Sequence, residues 1–491
     1  MYHISDIKKY LRCERLYHYS KLDNDTFKPY LRNDENLIDL FKDLFDIDDC
    51  FIGVRNDENN HFFDEKNNYE WFYTPRFVLN ELRLNVPLVH KINDEYDLYY
   101  VYYGNIIKEI DLITFSITID VLAKLGLIVN NIYIIYTNED YVNDGKLNAK
   151  ELFKITDRFN KKKIIDIASD RFVDYQDIIN KMNNYVIDDQ KVSKSKYCRQ
   201  NGLCKYYDNC FPDEKKLDVD SILSLVSSQN KQEMYDQGIM HLKEVDIDKI
   251  EGTRVQYAQI MASKNNGLFV DNVALNAWLK KLENRPISFI DFEWDRYFIP
   301  KYINMKPMDV ICFEFALYYL DENGQLNHKT FVSTGDCRKQ FIEALIEYLP
   351  SSGPIVAYNA KGAECLRIQE LINIFPEYEK PLNDILNRFV DLAQPFTEGL
   401  IYDTRMEGNY SLKKLVDICS EYSYADLDID DGLEAVFKWR SIDKNIAEEP
   451  EDIIRDLEQY CSLDAYGLFL VYKWLVNVLI ESKNKKGGID L

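Results

Sequence analysis

The sequence predicts a mixed α/β chain, α+β in its detail, divided into two or three domains. Three observations carry that expectation. The chain has 491 residues, more than one core organises, and its 46% hydrophobic and 14% aromatic content is that of a globular protein. Short β-like runs alternate with helical periodicity from Arg76 to Tyr185, and again from Pro286 onward. Between them lies a mainly helical stretch, and ENRPIS, with Pro286, marks the start of a new domain. The expected organisation is a first domain over 1–215, a helical connector over 216–284 and a second domain over 285–485.

Charge and composition exclude some classes. A net charge of −23, from 83 acidic against 60 basic residues, argues against a protein that coats duplex nucleic acid. It leaves room for a groove that takes a single-stranded end with a few Lys, Arg and aromatic side chains. No uninterrupted apolar run approaches the about 20 residues needed to cross a bilayer. The start, MYHISDIKKYLRCERLYHY, lacks the apolar core and cleavage site of an export signal. A cytoplasmic protein with no membrane partner is expected.

In chain order, the first 20 residues read as an amphipathic helix opened by Ser5, with Ile7, Tyr10 and Leu11 at helical spacing and Cys13 near its middle. Residues 21–80 are acidic and irregular, with helical pieces such as Leu37–Phe45. The runs FVLNELRL, VPLVHKI and DLYYVYYG read as strands, followed by a helix over Asp111–Leu125 and the strand NNIYIIYTN. Helices resume at Ala149–Phe153 and Tyr175–Tyr185. The connector carries helical patterns and one strand candidate, Gly267–Asp271. From Pro286 come the strands ISFIDFEWD, DVICFEFALYYL and HKTFVST, a helix over Arg338–Tyr348, and the strand PIVAYNA. A helix over Ala363–Ile374 leads into a long helical region to Phe396, with two further helices near Ser411–Cys419 and Asp452–Val478. A hairpin-rich start followed by alternating helices is the pattern of a ribonuclease H-like domain.

Two stretches carry chemistry. In SFIDFEW, Asp291 and Glu293 stand two apart on an apolar strand, so both carboxylates leave the same face. Two buried negative charges side by side invite a divalent cation. In YCRQNGLCKYYDNCF, Cys198, Cys204 and Cys210 are spaced C-x5-C-x5-C in a polar loop, where core packing does not explain three thiols. They call for a fourth ligand, and Zn²⁺ or an Fe–S cluster is the natural occupant. Apart from Cys13, the other six cysteines (Cys50, Cys312, Cys337, Cys365, Cys419 and Cys461) are scattered, several within apolar elements, as reduced core thiols are.

A cysteine in a Y-L-x-C-x-R helix, with three more about 185 residues later, resembles the RecB-like PD-(D/E)XK nucleases. That resemblance implies a restriction-endonuclease-like fold whose ends are stapled by a [4Fe–4S] cluster on Cys13, Cys198, Cys204 and Cys210, with Zn²⁺ as the alternative. The spacing departs from the commoner C-x2-C-x5-C. The family's Asp and Glu-x-Lys are missing where the fold would place them: LRLNVPLVHKIND offers Asn85, and DLYYVYYGNII offers tyrosines. Asp97, Lys108 and Asp111 are the available substitutes. The first domain is therefore expected to be catalytically degenerate, a module that binds substrate or a nucleic-acid-processing partner.

In the second domain three features line up with SFIDFEW. Asn359 ends a strand and Glu364 follows in the first turn of the next helix. Tyr460 and Asp464 stand at i and i+4 on one helix face. Between them, EGNYSLKKLVDI contains a G-x-Y-S-L-K segment. The set resembles the DnaQ-like DEDD 3′→5′ exonucleases, in their Tyr subclass, since the sole histidine after His241 is His328, in a strand. The resemblance implies that Asp291, Glu293, Glu364 and Asp464 hold two Mg²⁺ or Mn²⁺ ions and that Tyr460 orients the attacking water. Asp391, in RFVDLAQPF, is the alternative or supporting acid, because Glu364 stands where the superfamily has Asp. Asn359, Lys361, Arg367, Lys413 and Lys414 are candidates for the phosphate backbone of single-stranded DNA or RNA. The whole chain, including RFVDLAQPF and LDIDDGLEAV, resembles the bacterial family called domain of unknown function 2779. A non-catalytic Fe–S or zinc scaffold in DNA repair or phage defence is the alternative expectation.

Overall fold

The computed structural model describes residues 1–23, 37–55, 59–102, 107–186, 196–198, 204–212, 218–422, 429 and 432–486. The fold is mixed α/β and divides into two compact units, Met1–Lys216 with Tyr297–Met308, and Leu217–Arg296 with Asp309–Leu491.

In the first unit a six-stranded mixed sheet runs in sequence order: β1 (Phe51–Ile52), β2 (Trp71–Tyr73), β3 (Leu88–Ile92), β4 (Glu95–Tyr102), β5 (Ile128–Thr137) and β6 (Phe153–Thr156). The pair β4 and β5 is parallel, which requires a crossover, supplied by the helix Glu109–Lys124. That helix buries Leu112, Phe115, Ile117, Val121 and Leu122 in the main core. The chain start differs from the single helix expected. Two helices, α1 (Ile4–Arg12) and α2 (Glu14–Leu22), are broken by Cys13, whose backbone is extended at φ −169°, ψ 121°. The cap is His3, not Ser5, with His3 and Asp6 in a reciprocal capping box.

The second unit is built on a five-stranded sheet. In chain order its strands are β7 (Ile287–Arg296), β8 (Val310–Leu320), β9 (Leu326–Val332), β10 (Ile355–Ala357) and β11 (Phe389–Asp391). Their spatial order is β9-β8-β7-β10-β11, with β7, β8 and β9 antiparallel and β10 and β11 parallel to β7. The strand β11 corrects the long helical region expected up to Phe396: Phe389 and Val390 pair with β10 because that register completes the sheet edge. One face carries α3 (Arg338–Tyr348) and α4 (Glu364–Ile374), whose Phe341, Ile342, Ile368 and Leu371 cover Ile290 and Phe292. Residues 217–284, expected as a connector, fold within this unit, where the strand Leu268–Val270 pairs with Ile401–Asp403.

The other face is crossed by α7 (Pro450–Lys486), reached after α5 (Leu412–Cys419) and α6 (Gly432–Asp443). By length and composition Pro450–Asn484 is apolar enough to cross a membrane, although Asp464 and Lys473 interrupt its apolar run, and half of its most apolar window is buried within the protein. Leu468, Val471, Leu475 and Val478 of this helix join the core with Phe289 and Val356.

Candidate active site

The pleat of β7 sends Phe292 into the core and Asp291 and Glu293 to the opposite face, under α7. Small residues let the helix come close: Ala316 of β8 packs directly against Cys461 and Ala465. This approach delivers Asp464. Asp291, Glu293 and Asp464 each offer a carboxylate oxygen, and the three oxygens lie within 4.8 Å of one another. The Cys461 thiol braces Asp291, 3.5 Å from its carbonyl oxygen and 3.7 Å from Oδ2.

Burial drives the Asp291 carboxyl well above the usual range, and Asp464, Glu293 and Glu364 push it further in the same direction. Tyr460, 4% exposed, is held in its neutral form first by burial and then by the charges of Asp464, Glu293 and Asp291, and its phenol hydrogen-bonds Asp464. Lys413 Nζ stands 5.1 Å from the centre of the Tyr460 ring.

Glu364 opens α4 at 2% exposure, and its Oε2 has no hydrogen-bond partner among the described residues. Burial pushes its carboxyl up to about 8, with Asp391 adding to the shift. Glu364 therefore faces Asp291 electrostatically without belonging to the 4.8 Å group. Asp391 is otherwise engaged, its Oδ1 accepting from the Asn359 and Ala393 amides at 2.8 and 2.9 Å. That contact holds Asn359 at φ 61°, a left-handed turn suited to Asn, from which the chain enters α4. Glu364 acts electrostatically on Asp291 and is itself faced by Asp391, whose Oδ1 braces the loop that leads to it.

The basic candidates divide. Arg367, 3% exposed, is ion-paired to Glu370 at 3.0 Å and lies over the Trp294 ring, so burial removes it from the backbone contacts expected of it. Lys414 pairs with Glu407 at 2.8 Å. Asn359 and Lys361 are exposed.

Three contributors had escaped the sequence reading. Glu314, the register partner of Glu293 on β8, is fully buried. Gly432, the first residue of α6, lies so close to Glu293 that an added β-carbon would sit 3.4 Å from Oε2. Arg440 of the same helix donates from Nε to Asp295 at 2.7 Å, a buried ion pair that ties α6 to β7 just beyond the acids. LDIDDGLEAV was the available signal for α6, and CFEF was the signal for Glu314.

In the first unit the cysteines come from both chain ends. Cys13 sits in the break between α1 and α2, and the Cys204 amide donates to the Cys198 carbonyl at 2.9 Å. Burial raises the Cys210 thiol, Arg15 lowers it by a hydrogen bond, and Cys13 and Cys204 both face it. Tyr19 of α2 stacks on Tyr206 at 5.3 Å, and Lys205 pairs with Asp23. The Cys13, Cys204 and Cys210 thiols thus face one another, with Cys198 joined to Cys204 through the backbone, an arrangement that fits a group held by thiolates. They do not form a set with all sulfurs within 4.8 Å, whereas tetrahedral zinc would bring them to about 3.8 Å of one another. Of the catalytic substitutes, Asp111 pairs with Lys8 and caps the Lys108 amide, while Asp97 accepts from Asn130. Among the described residues, the two groups of carboxylates and histidines able to hold a metal both lie in the second unit.

Residues 288–411 match a family described as domain of unknown function (DUF2779). The match takes in Asp291, Glu293, Glu364 and Asp391 and ends before Tyr460, a shorter span than the nearly full-length resemblance read from sequence. No curated protein and no solved structure matches the chain.

The raised carboxyls set a pH dependence for the metal-free protein. Glu364 titrates near 4.3 when unfolded and at about 8 when folded, and Asp291 shifts in the same direction. The folded state then holds more protons across that window, so stability is full below about pH 4.3 as far as these groups go and is lost as pH rises towards 8. In EDTA, the melting temperature of the second unit's transition is expected to fall between pH 5 and pH 8. Mn²⁺ should flatten that slope, and a rising slope in calorimetry would contradict it.

Proposed function

We propose that the chain is a metal-dependent 3′→5′ exonuclease acting on single-stranded DNA or RNA ends. The observation that carries the reading is the convergence of Asp291, Glu293 and Asp464 within 4.8 Å, with Tyr460 bonded to Asp464 and Glu364 facing Asp291. The sheet order, in local terms 3-2-1-4-5 with the second strand antiparallel to its neighbours, supports a ribonuclease H-like frame. Divalent ions bound at these carboxylates would supply Lewis-acid activation of water and stabilisation of the leaving oxygen.

The chain's own residues do the rest. Asp291, Glu293 and Asp464, with Glu364, hold Mg²⁺ or Mn²⁺. The Tyr460 phenol, kept protonated, orients water from beside Asp464. Lys413 brings positive charge to the same edge. A cavity of about 620 Å³ lies along α7, where Glu458, Ser462 and Tyr466 line it with Tyr318, His328 and Tyr422. Aromatic faces of this kind suit unstacked bases, and so single strands.

The first unit serves, in this reading, as a degenerate restriction-endonuclease-like module that binds substrate or a partner. Its thiols hold a [4Fe–4S] cluster rather than zinc, in keeping with their wider spacing. The hairpin Arg158–Lys163 supports contact with phosphate, because Arg158, Lys161, Lys162 and Lys163 outnumber Asp166 and Asp170 in lining a hollow of about 500 Å³ in an otherwise acidic chain. A cytoplasmic location fits the reduced thiols such a cluster needs.

The test uses purified full chain, Mn²⁺ and a 5′-labelled single strand. A ladder shortening from the 3′ end, abolished by EDTA, is expected. An intact strand, or internal nicks without a ladder, sinks the reading.

A further inference from the structure

One buried carboxylate is not used by the chemistry above. Glu314 is 0% exposed, and neither of its carboxylate oxygens has a hydrogen-bond partner among the described residues. Burying such a group in its charged form without compensation is costly, so it is found with a partner, a water or an ion, or with its proton retained, the direction in which burial and the neighbouring acids push Glu314 in the metal-free protein. Among the described residues, the titratable groups that face Glu314 are the acids Glu293, Glu458 and Asp464 and the Cys461 thiol, none of opposite charge.

Its position narrows the choice. Glu314 and Glu293 are direct register partners on antiparallel strands, so their side chains leave the same face of the sheet with β-carbons about 4.5–5.5 Å apart. The register skips immediately afterwards, with Trp294 opposite Cys312, so Phe313 is the extra residue of a bulge beside the pair. Phe313 stacks on Trp439 at 4.6 Å, which anchors the bulge. Glu314 is therefore held rigidly behind Glu293 and under α7. Glu458, the remaining acid, is engaged by the Thr330 hydroxyl at 3.0 Å.

We propose that Glu314 is a fifth carboxylate of the divalent-metal site, a buried positioning residue behind Glu293 whose charge is compensated by the ion that Glu293 holds. The proposal rests on the metal-dependent reading of Asp291, Glu293 and Asp464 and extends it to a residue outside their 4.8 Å group. Glu314 adds a carboxyl group directly behind Glu293, close enough for the field of a cation at Glu293 to favour its charged form. Its contribution is to metal affinity, with no direct contact to substrate.

The experiment is a calorimetric Mn²⁺ titration of the full chain, with its cysteine site loaded, alongside melting curves with and without Mn²⁺. Glu314→Gln keeps shape and removes charge, and Glu314→Asp keeps charge and shortens the arm. Glu314→Gln is expected to weaken Mn²⁺ binding about 10–100-fold, the usual effect of losing an outer partner of a metal site. It should also shrink the Mn²⁺-induced rise in melting temperature without lowering the metal-free value. Glu314→Asp should stay within about threefold of wild type. A merely structural glutamate would give the opposite pattern, a lower metal-free melting temperature with unchanged Mn²⁺ affinity in Glu314→Gln, and that result overturns the proposal. Equal Mn²⁺ affinity in Glu314→Asp and Glu314→Gln overturns it as well, and this comparison still decides if one variant is too unstable for melting curves. A wild-type chain that binds no Mn²⁺ overturns the exonuclease reading together with this one, whereas normal wild-type binding with normal Glu314→Gln binding removes this inference alone.

Discussion

Asp464→Asn is expected to slow Mn²⁺-dependent cleavage by about a thousandfold, equivalent to about 4 kcal/mol of transition-state stabilisation. It should at the same time raise the melting temperature of the metal-free protein. Both effects have one cause. Asp464 is brought by α7 to within 4.8 Å of Asp291 and Glu293, and three carboxyl groups at that separation repel one another unless a cation or a retained proton relieves them. Asparagine preserves the shape and the contact with the Tyr460 phenol while removing a charge. The cradle then loses its hold on the ion, and the metal-free fold loses a repulsion. Single-turnover cleavage of a 5′-labelled strand measures the first effect and scanning calorimetry in EDTA the second. Cleavage at the wild-type rate would mean that hydrolysis occurs elsewhere, and the assignment of the site to these residues would fall.

The acids most legible in the sequence were those whose local pattern and final geometry share a period. Asp291 and Glu293 alternate on a strand, and Tyr460 and Asp464 are one helical turn apart, so each pair was fixed before any tertiary contact was known. Glu364 was legible as a first-turn acid, but the engagement of Asp391 by the Asn359 amide is a long-range hydrogen bond that no local pattern encodes. Glu314 carried the same signal as SFIDFEW, an acid inside an apolar strand, yet a lone acid gives no companion to align with. Its partner is set by strand register, a long-range property. Arg367 reads as a solvated helix cation by composition, and only packing against Trp294 and Glu370 shows it as buried. The break at Cys13 was hidden for a related reason: the apolar spacing continues across it, while the extended backbone places the thiol where the late cysteines come. Strand β11 was lost in a helical background because three residues are too few to establish a period.

The cysteine site gives the other large effect, confined to the first unit. Cys198→Ser, in protein purified without oxygen, is expected to lose the visible absorbance of an iron–sulfur cluster and to lower the stability of the first unit by several kcal/mol, since binding at a structural metal site is folding free energy. The reason lies in the chain path. Cys13 belongs to the first helices, and Cys198, Cys204 and Cys210 lie near the end of the Met1–Lys216 stretch of that unit, so a group shared by them would tie together about 185 residues of sequence. The contacts that remain between those ends include the Tyr19–Tyr206 stack, worth only about 0.5–1.5 kcal/mol, and the Lys205–Asp23 pair, which is exposed and screened by solvent. Metal-dependent cleavage should persist in the variant, because Asp291, Glu293, Glu364 and Asp464 all belong to the second unit. Iron analysis, thermal unfolding and the strand-shortening assay on one preparation separate the possibilities. Zinc in place of iron would replace the cluster with a single ion. Loss of biological activity in Cys198→Ser, with full activity in Asp464→Asn, would favour a non-catalytic scaffold over the exonuclease, because the charge at residue 464 has no part in a purely architectural role.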